Sequence, residues 1–187
     1  MKIILIPALI LAAIVSCKNN TTSASNLPAD TTVKQFFPVQ EFLLGEIRYV
    51  DSLPVGILKY TTTGKRIDSG YIKMPEFKQL AYEFLSAELE EGMFEEQFDE
   101  VSFFDHGTKY ATFNYSPKNN NTEIKRVDVI ASRGGEFDKI NSIYIEKNNG
   151  ASPLKKLYWK AGRHFQIIRE DSAGKQSVTK VVWNFWD

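Results

Sequence analysis

Few residues of this chain are of a type that could carry out covalent or metal chemistry. Cys17 is the only cysteine, so the chain can form no internal disulfide and offers no second thiolate for a metal site. The two histidines, His106 and His164, lie far apart and form no HExxH or HxH pattern. The sequence also lacks a GxSxG nucleophile elbow and a phosphate-binding GxGxxG or Walker loop. We therefore expect no enzyme of these classes, no cofactor and no bound metal.

Cys17 closes a segment that has the three zones of an export signal. A short basic start at residues 1–2 is followed by an apolar run over residues 3–15. That run is shorter than the roughly 20 residues that span a bilayer. Ile14-Val15-Ser16-Cys17 resembles the lipobox of bacterial lipoproteins, and Ser16-Cys17-Lys18-Asn19 is similar to the start of small exported lipoproteins of the Bacteroidota type.

The resemblance implies that Cys17 is the site of lipid attachment. In that family the thiol receives a diacylglycerol, a dedicated peptidase cuts before the cysteine, and the new amino group is acylated. Three acyl chains bury many more CH₂ groups than the single chain that anchors a protein only marginally, so the attachment is expected to be stable. The expected partner is the lipid bilayer, reached through acylated Cys17, and residues 1–16 are the signal peptide.

The residues after the cysteine predict a tether and a location. Residues 17–32 comprise the lipidated cysteine and a polar, small-residue segment typical of a flexible linker. A linker of this length reaches about 50 Å when fully extended and roughly 20 Å on average. In the family, Asp directly after the cysteine commonly retains a lipoprotein at the inner membrane, and surface display resembles an acidic cluster. Lys18 follows here and 18–26 holds no acidic residue, which implies the periplasmic face of the outer membrane.

Acidic residues supply an alternative, catalytic hypothesis. Nine acidic residues and one lysine occupy residues 76–100. Large apolar residues interrupt the acidic run, whereas a calcium-binding EF-hand needs Asp or Asn at alternate positions and a central glycine. Paired carboxylates can hydrolyse glycosides, so the alternative function is a carboxylate-dependent envelope hydrolase that uses Asp99, Glu100 and Asp105.

Aromatic residues are abundant, with 13 Phe, 8 Tyr and 3 Trp, which predicts an aromatic-rich core. Near the chain end, Trp183 and Phe185 fall on one face of the last predicted strand, and Trp159 lies upstream. These side chains either fill the core and its edge or line an apolar groove, because surplus aromatic residues on a curved sheet can line a cavity. In the second case the groove residues are Trp159, Trp183 and Phe185, and the partner is an apolar ligand or an envelope protein.

Two helices are predicted from apolar residues at helical spacing. The first begins at Pro38, buries Val39, Leu43, Ile47 and Val50, and is stopped by Pro54. The second begins at Pro75. Its expected buried face is Phe77, Leu80, Ala81, Phe84, Leu85 and Leu89, its end is at Gly92, and its solvent face carries Glu83, Glu88, Glu90 and Glu91.

The rest of the chain alternates apolar and polar residues between turn residues, which predicts short antiparallel strands. The predicted strands are 55–63, 66–72, 101–105, 108–116, 124–132, 139–147, 154–161, 164–170 and 176–186. We therefore expect one α+β domain over 33–187, a curved antiparallel β-meander covered by one or two helices. Helix-covered antiparallel half-barrels also occur in the LolA/LolB-type lipoprotein carriers, which is an analogy of architecture alone.

The expected function is that of a membrane-anchored envelope lipoprotein of a non-catalytic, binding or structural type. The formal net charge of the chain is zero, which argues against nucleic acid as the main partner.

Overall fold

The computed structural model describes residues 36–132, 139–148, 150 and 154–185, all within one compact unit of the chain. The predicted signal peptide, Cys17 and the tether lie outside the described residues. The elements, in chain order, are α1 (Val39–Ser52), β1 (Ile57–Thr63), β2 (Arg66–Ile72), α2 (Met74–Ala81), the 3-10 turns Tyr82–Phe84 and Ala87–Leu89, α3 (Met93–Gln97), β3 (Phe98–Asp105), β4 (Tyr110–Pro117), β5 (Ile124–Ser132), β6 (Lys139–Lys147), β7 (Leu154–Lys160), β8 (His164–Glu170) and β9 (Gln176–Val182).

The nine strands form one open antiparallel sheet in the order β2-β1-β9-β8-β7-β6-β5-β4-β3. The predicted α+β class is confirmed at this level, as a mostly antiparallel β domain with a few helices. Strands β3 to β9 lie side by side in chain order, because short connections join neighbours in the sequence. The hairpin β1–β2 lies outside this series. Strand β1 pairs with β9, the last strand of the chain, at the end of the sheet opposite β3. The last strand is shorter than predicted and ends at Val182.

Because β2 and β3 are the two edges of the sheet, the chain between them must cross its whole width. Residues 73–97 make this crossing as α2, the two 3-10 turns and α3. The prediction of one helix from Pro75 to Gly92 was wrong. The helix stops at Ala81, and the backbone is extended at Leu85 and Ser86.

The break is explained by polar groups of the crossing segment that bond to the sheet. Lys147 on β6 donates to the Leu85 carbonyl at 2.7 Å. Glu88 accepts the backbone N–H groups of Glu123 and Ile124 at 2.7 and 2.8 Å. An unbroken helix would keep the Leu85 carbonyl within its own hydrogen-bond ladder. Glu83 and Glu88 were therefore wrongly assigned to a solvent face, while Glu90 and Glu91 are exposed as predicted.

Alternating residues of the strands form the buried face of the sheet, on which the helices pack. The core includes Val129, Ile143, Ile145, Leu157, Trp159, Phe165, Ile167 and Val181 from the strands, with Val39, Leu43, Ile47, Val50, Phe77, Ala81, Phe84, Leu89 and Phe94 from the helical segments. Phe84 packs edge-on against Trp159 and Phe165, with ring centroids 5.1 and 5.3 Å apart. Edge-to-face packing of this kind adds to the burial energy of aromatic cores.

Glu83 joins the crossing segment to two cations that face each other on the sheet. Lys155 on β7 is directly opposite Arg169 on β8 in the strand register. Like charges at such positions destabilise a sheet. The Glu83 carboxylate accepts from Lys155 at 3.0 Å and from Arg169 through its other oxygen, and all three side chains are about two-thirds or more shielded from solvent. One carboxylate therefore compensates two cations that would otherwise repel.

Replacement of Glu83 by Gln is expected to lower the free energy of unfolding by about 2 kcal/mol. That value lies between the effects of breaking exposed and fully buried ion pairs. Denaturant unfolding measures it, and Glu91→Gln, which changes an exposed carboxylate, is the control with an expected effect within about 0.5 kcal/mol. Adding Lys155→Met to Glu83→Gln should recover part of the loss. Equal effects of Glu83→Gln and Glu91→Gln would contradict the assigned role.

Candidate functional site

The three residues predicted to line an apolar groove occupy different environments. Trp159 is fully buried and stacks on Phe165 with ring centroids 5.1 Å apart. Trp183 is 2% exposed and packs against Trp159 and Phe77. Phe185 is 54% exposed. The structure therefore places both tryptophans in the core beneath the helices, and only Phe185 and an edge of Trp183 reach surface depressions.

Trp159 and Trp183 pack against each other, and Glu46 of α1 joins this tryptophan cluster to the helices. The Trp159 Nε1–H donates to Glu46 Oε2 at 3.1 Å, and the backbone N–H of Gly162 donates to the same oxygen at 2.6 Å. Gly162 lies in the β7–β8 turn with a φ of 68°, a left-handed conformation that favours glycine. The Trp183 indole nitrogen is buried and has no hydrogen-bond partner within the described chain. A hydrogen bond to α1 thus holds Trp159, whereas the indole N–H of Trp183 has no partner among the described residues.

The carboxylates of the alternative, hydrolytic hypothesis do not converge within the described residues. Asp99 and Glu100 are neighbours on β3, so they point to opposite faces of the sheet. Asp99 and Asp105 share a face but are six residues apart, or about 20 Å along the strand. Paired glycosidase carboxylates lie about 5 to 9.5 Å apart.

Two of these carboxylates have local structural contacts. Hydrogen bonds from the Thr108 hydroxyl (2.7 Å) and the Gly107 N–H (2.8 Å) hold the pKa of Asp105 below its usual range. Asp105 therefore shapes the β3–β4 turn. Glu100 hydrogen-bonds to the hydroxyl of Tyr115, whose pKa is raised by burial and, to a smaller extent, by this carboxylate.

The clearest open depression lies on the face of the sheet turned away from the helices, which we call the uncovered face. It has a volume of about 560 Å³, within the usual range of ligand sites. Four adjacent strands, β2, β1, β9 and β8, supply its floor, and the segment after β9 supplies one wall. The lining residues are Tyr60, Thr62, Ile67, Arg163, His164, Gln166, Val178, Lys180, Val182, Asn184 and Phe185.

The described lining of this depression combines apolar side chains with cations and contains no carboxylate. His164, which lines the depression, has a pKa affected by these surroundings. Its pKa is lowered to about 4 by burial and then by the positive charges of Lys180, Lys160 and Arg163. His164 is therefore neutral at pH 7.

Of the predicted groove residues only Phe185 lines this depression, because the prediction considered aromatic residues rather than the outward positions of the strands. The signal was present in β9, where Val178, Lys180 and Val182 alternate with the buried positions. What the sequence could not supply was the pairing of β9 with β1, which brings Tyr60 and Thr62 beside them.

Other kinds of site were sought in the described part of the chain. No group of three or more His, Cys, Asp or Glu residues there could hold a metal ion. None of the helices among these residues combines the length and apolar character needed to cross a membrane. Comparisons of the chain with protein-family models, with curated proteins and with solved structures return no match.

The lowered pKa of His164 predicts a pH dependence of stability. Below about pH 6.5 the unfolded chain binds a proton at this histidine, whereas the folded protein does so only near pH 4. The free energy of unfolding should therefore fall as the pH drops from 6.5 to 4. His164→Gln should flatten this part of the profile, measured by denaturant unfolding at a series of pH values. The control is His106→Gln, in an exposed turn; a wild-type slope in His164→Gln would refute the assignment.

Proposed function

We propose that the chain is an exported lipoprotein, anchored in the membrane through acylated Cys17, whose domain acts by binding rather than by catalysis. The anchoring half is supported by the lipobox-like Ile14-Val15-Ser16-Cys17 at the end of a short apolar run. The chemistry of the site requires a thiol, since only a thiol forms the thioether to diacylglycerol. No cofactor or metal takes part in this function.

The observation that supports a binding function for the domain is the depression on the uncovered face. Its volume of about 560 Å³ and its mixed apolar and cationic lining have the character of a recognition site. The carboxylates Asp99, Glu100 and Asp105 are separated or engaged in local contacts, which favours binding over hydrolysis. The partner is an apolar ligand with a polar group, or an envelope protein that presents one.

We extend the proposal to the shape of the sheet, which curves across its strands. A depression that spans four adjacent strands supports curvature, because sheets twist as strands are added and a twisted sheet encloses space more readily than a flat one.

The proposed location is the periplasmic face of the outer membrane. Lys18 and the absence of acidic residues from 18–26 support it through the sorting patterns of the lipoprotein family. A tether that reaches roughly 20 Å on average would keep the domain close to the inner leaflet.

Lipid attachment is tested by replacement of Cys17. Cys17→Ala should abolish incorporation of a labelled fatty acid and leave an unprocessed precursor, because no thiol remains to receive the diacylglycerol. Ser23→Ala, in the tether, is the matched control and should be labelled normally. Labelling of the Cys17→Ala protein would overturn the proposal.

Location is tested by adding protease to intact cells. The domain should resist digestion until the outer membrane is permeabilised, after which exposed segments become accessible. A periplasmic soluble protein serves as the control for membrane integrity. Digestion of the domain in intact cells would show surface display and contradict the periplasmic assignment.

A further inference from the structure

Lys180 occupies the middle of the depression, between two apolar residues of β9. The strand register places Lys180 directly between Tyr60 on β1 and Gln166 on β8. The next outward position on one side is Val178, and on the other side it is Val182. An ammonium group is therefore held between two apolar residues of a lining that also contains polar side chains.

Two strongly exposed apolar side chains form the walls of this site. Ile67 of β2 is 69% exposed and Phe185, after β9, is 54% exposed, although both line the depression. Exposed apolar surface gathered around a concave site favours an apolar ligand, because burial of that surface stabilises the complex.

The charge of the site favours an anion. Lys180 belongs to the described lining and no carboxylate does. Lys180 forms no ion pair with any residue that the structure describes. The pKa of His164 is lowered by burial and then by nearby positive charges, of which that of Lys180 is the largest. A negative group placed here would be attracted by the Lys180 ammonium group, which is paired with no residue that the structure describes.

We propose that the depression binds a single-chain amphiphilic anion, with its acidic head at Lys180 and its acyl or aryl tail against Val178 and Ile67. A monocarboxylate with a hydrocarbon chain has this chemistry. The inference deepens the proposed function, since it names the class of ligand that the binding domain takes. The concave form of the site favours a soluble ligand over a flat membrane surface.

Titration of the full lipidated chain in phosphatidylcholine nanodiscs tests the ligand class, with empty nanodiscs as the baseline. Octanoate should bind saturably, with one site per chain, in isothermal titration calorimetry. Octanol lacks the charge and acetate lacks the tail, so each should bind at least about tenfold more weakly, as expected for loss of a charge-assisted contact or of the buried tail. Absence of saturable octanoate binding, or equal binding of octanol, would overturn the proposal.

Substitutions on the same face locate the site. Lys180→Gln should weaken octanoate binding about tenfold. Lys156→Gln is the matched control, because Lys156 lies on the same face of β7 but does not line the depression, and it should leave the affinity unchanged. Ile67→Ser, on an exposed edge strand, should weaken octanoate binding but not change the preference for a charged head. Equal losses in Lys180→Gln and Lys156→Gln would show diffuse attraction and refute a discrete site.

A lipid-dependence experiment separates the soluble ligand from the membrane. Octanoate affinity should be the same in nanodiscs that contain phosphatidylglycerol, after correction for the surface potential measured with empty discs. Loss of binding in those discs would mean that the uncovered face rests on anionic lipid, which would overturn the proposal. Failure to bind octanoate by a protein whose Cys17 is labelled with fatty acid would refute this inference and leave the anchoring intact.

Discussion

The requirement that one segment join the two edges of the sheet determines the organisation of the domain. Nine strands at the usual spacing make a sheet roughly 38 Å wide, and residues 73–97 must cross it between β2 and β3. A crossing segment covers one face of the sheet and leaves the other without it. The crossing segment and α1 contribute to one core with the strands, which includes the buried aromatic residues.

Polar contacts fix the path of the crossing segment more specifically than apolar packing does. Glu83 compensates the opposed cations Lys155 and Arg169, and Glu88 accepts two backbone N–H groups at the start of β5. Apolar side chains tolerate sliding along a sheet, whereas these contacts require particular positions. Two lysines of the sheet therefore differ in their surroundings. Lys155 faces the helices and is paired with Glu83, while Lys180 faces outward and meets no carboxylate among the described residues.

The sequence predicted the elements well where the pattern was local. Helix α1 and the strands β2, β5, β6 and β8 have the predicted bounds or nearly so, because each lies between clear turn residues or prolines. The acidic segment after Ala81 was misread because its apolar residues kept a helical spacing through Leu89. The competing interactions of Ser86, Glu88 and Lys147 are long-range contacts or local caps that periodicity does not record. The candidate site depended on the pairing of β1 with β9, which joins strands more than a hundred residues apart. Trp159 and Trp183, which were predicted to line a groove, are buried in the core instead.

The central claim is that the crossing segment covers one face of the sheet and that no element among the described residues covers the other. Thiol labelling of adjacent positions on β8 tests it directly, since Gln166 points outward and Ile167 points into the core. With Cys17 acylated, a full chain that carries Gln166→Cys or Ile167→Cys has one free thiol. The account predicts rapid reaction of Gln166→Cys with a maleimide in the native protein, and reaction of Ile167→Cys only in denaturant. Similar native rates at the two positions would contradict it.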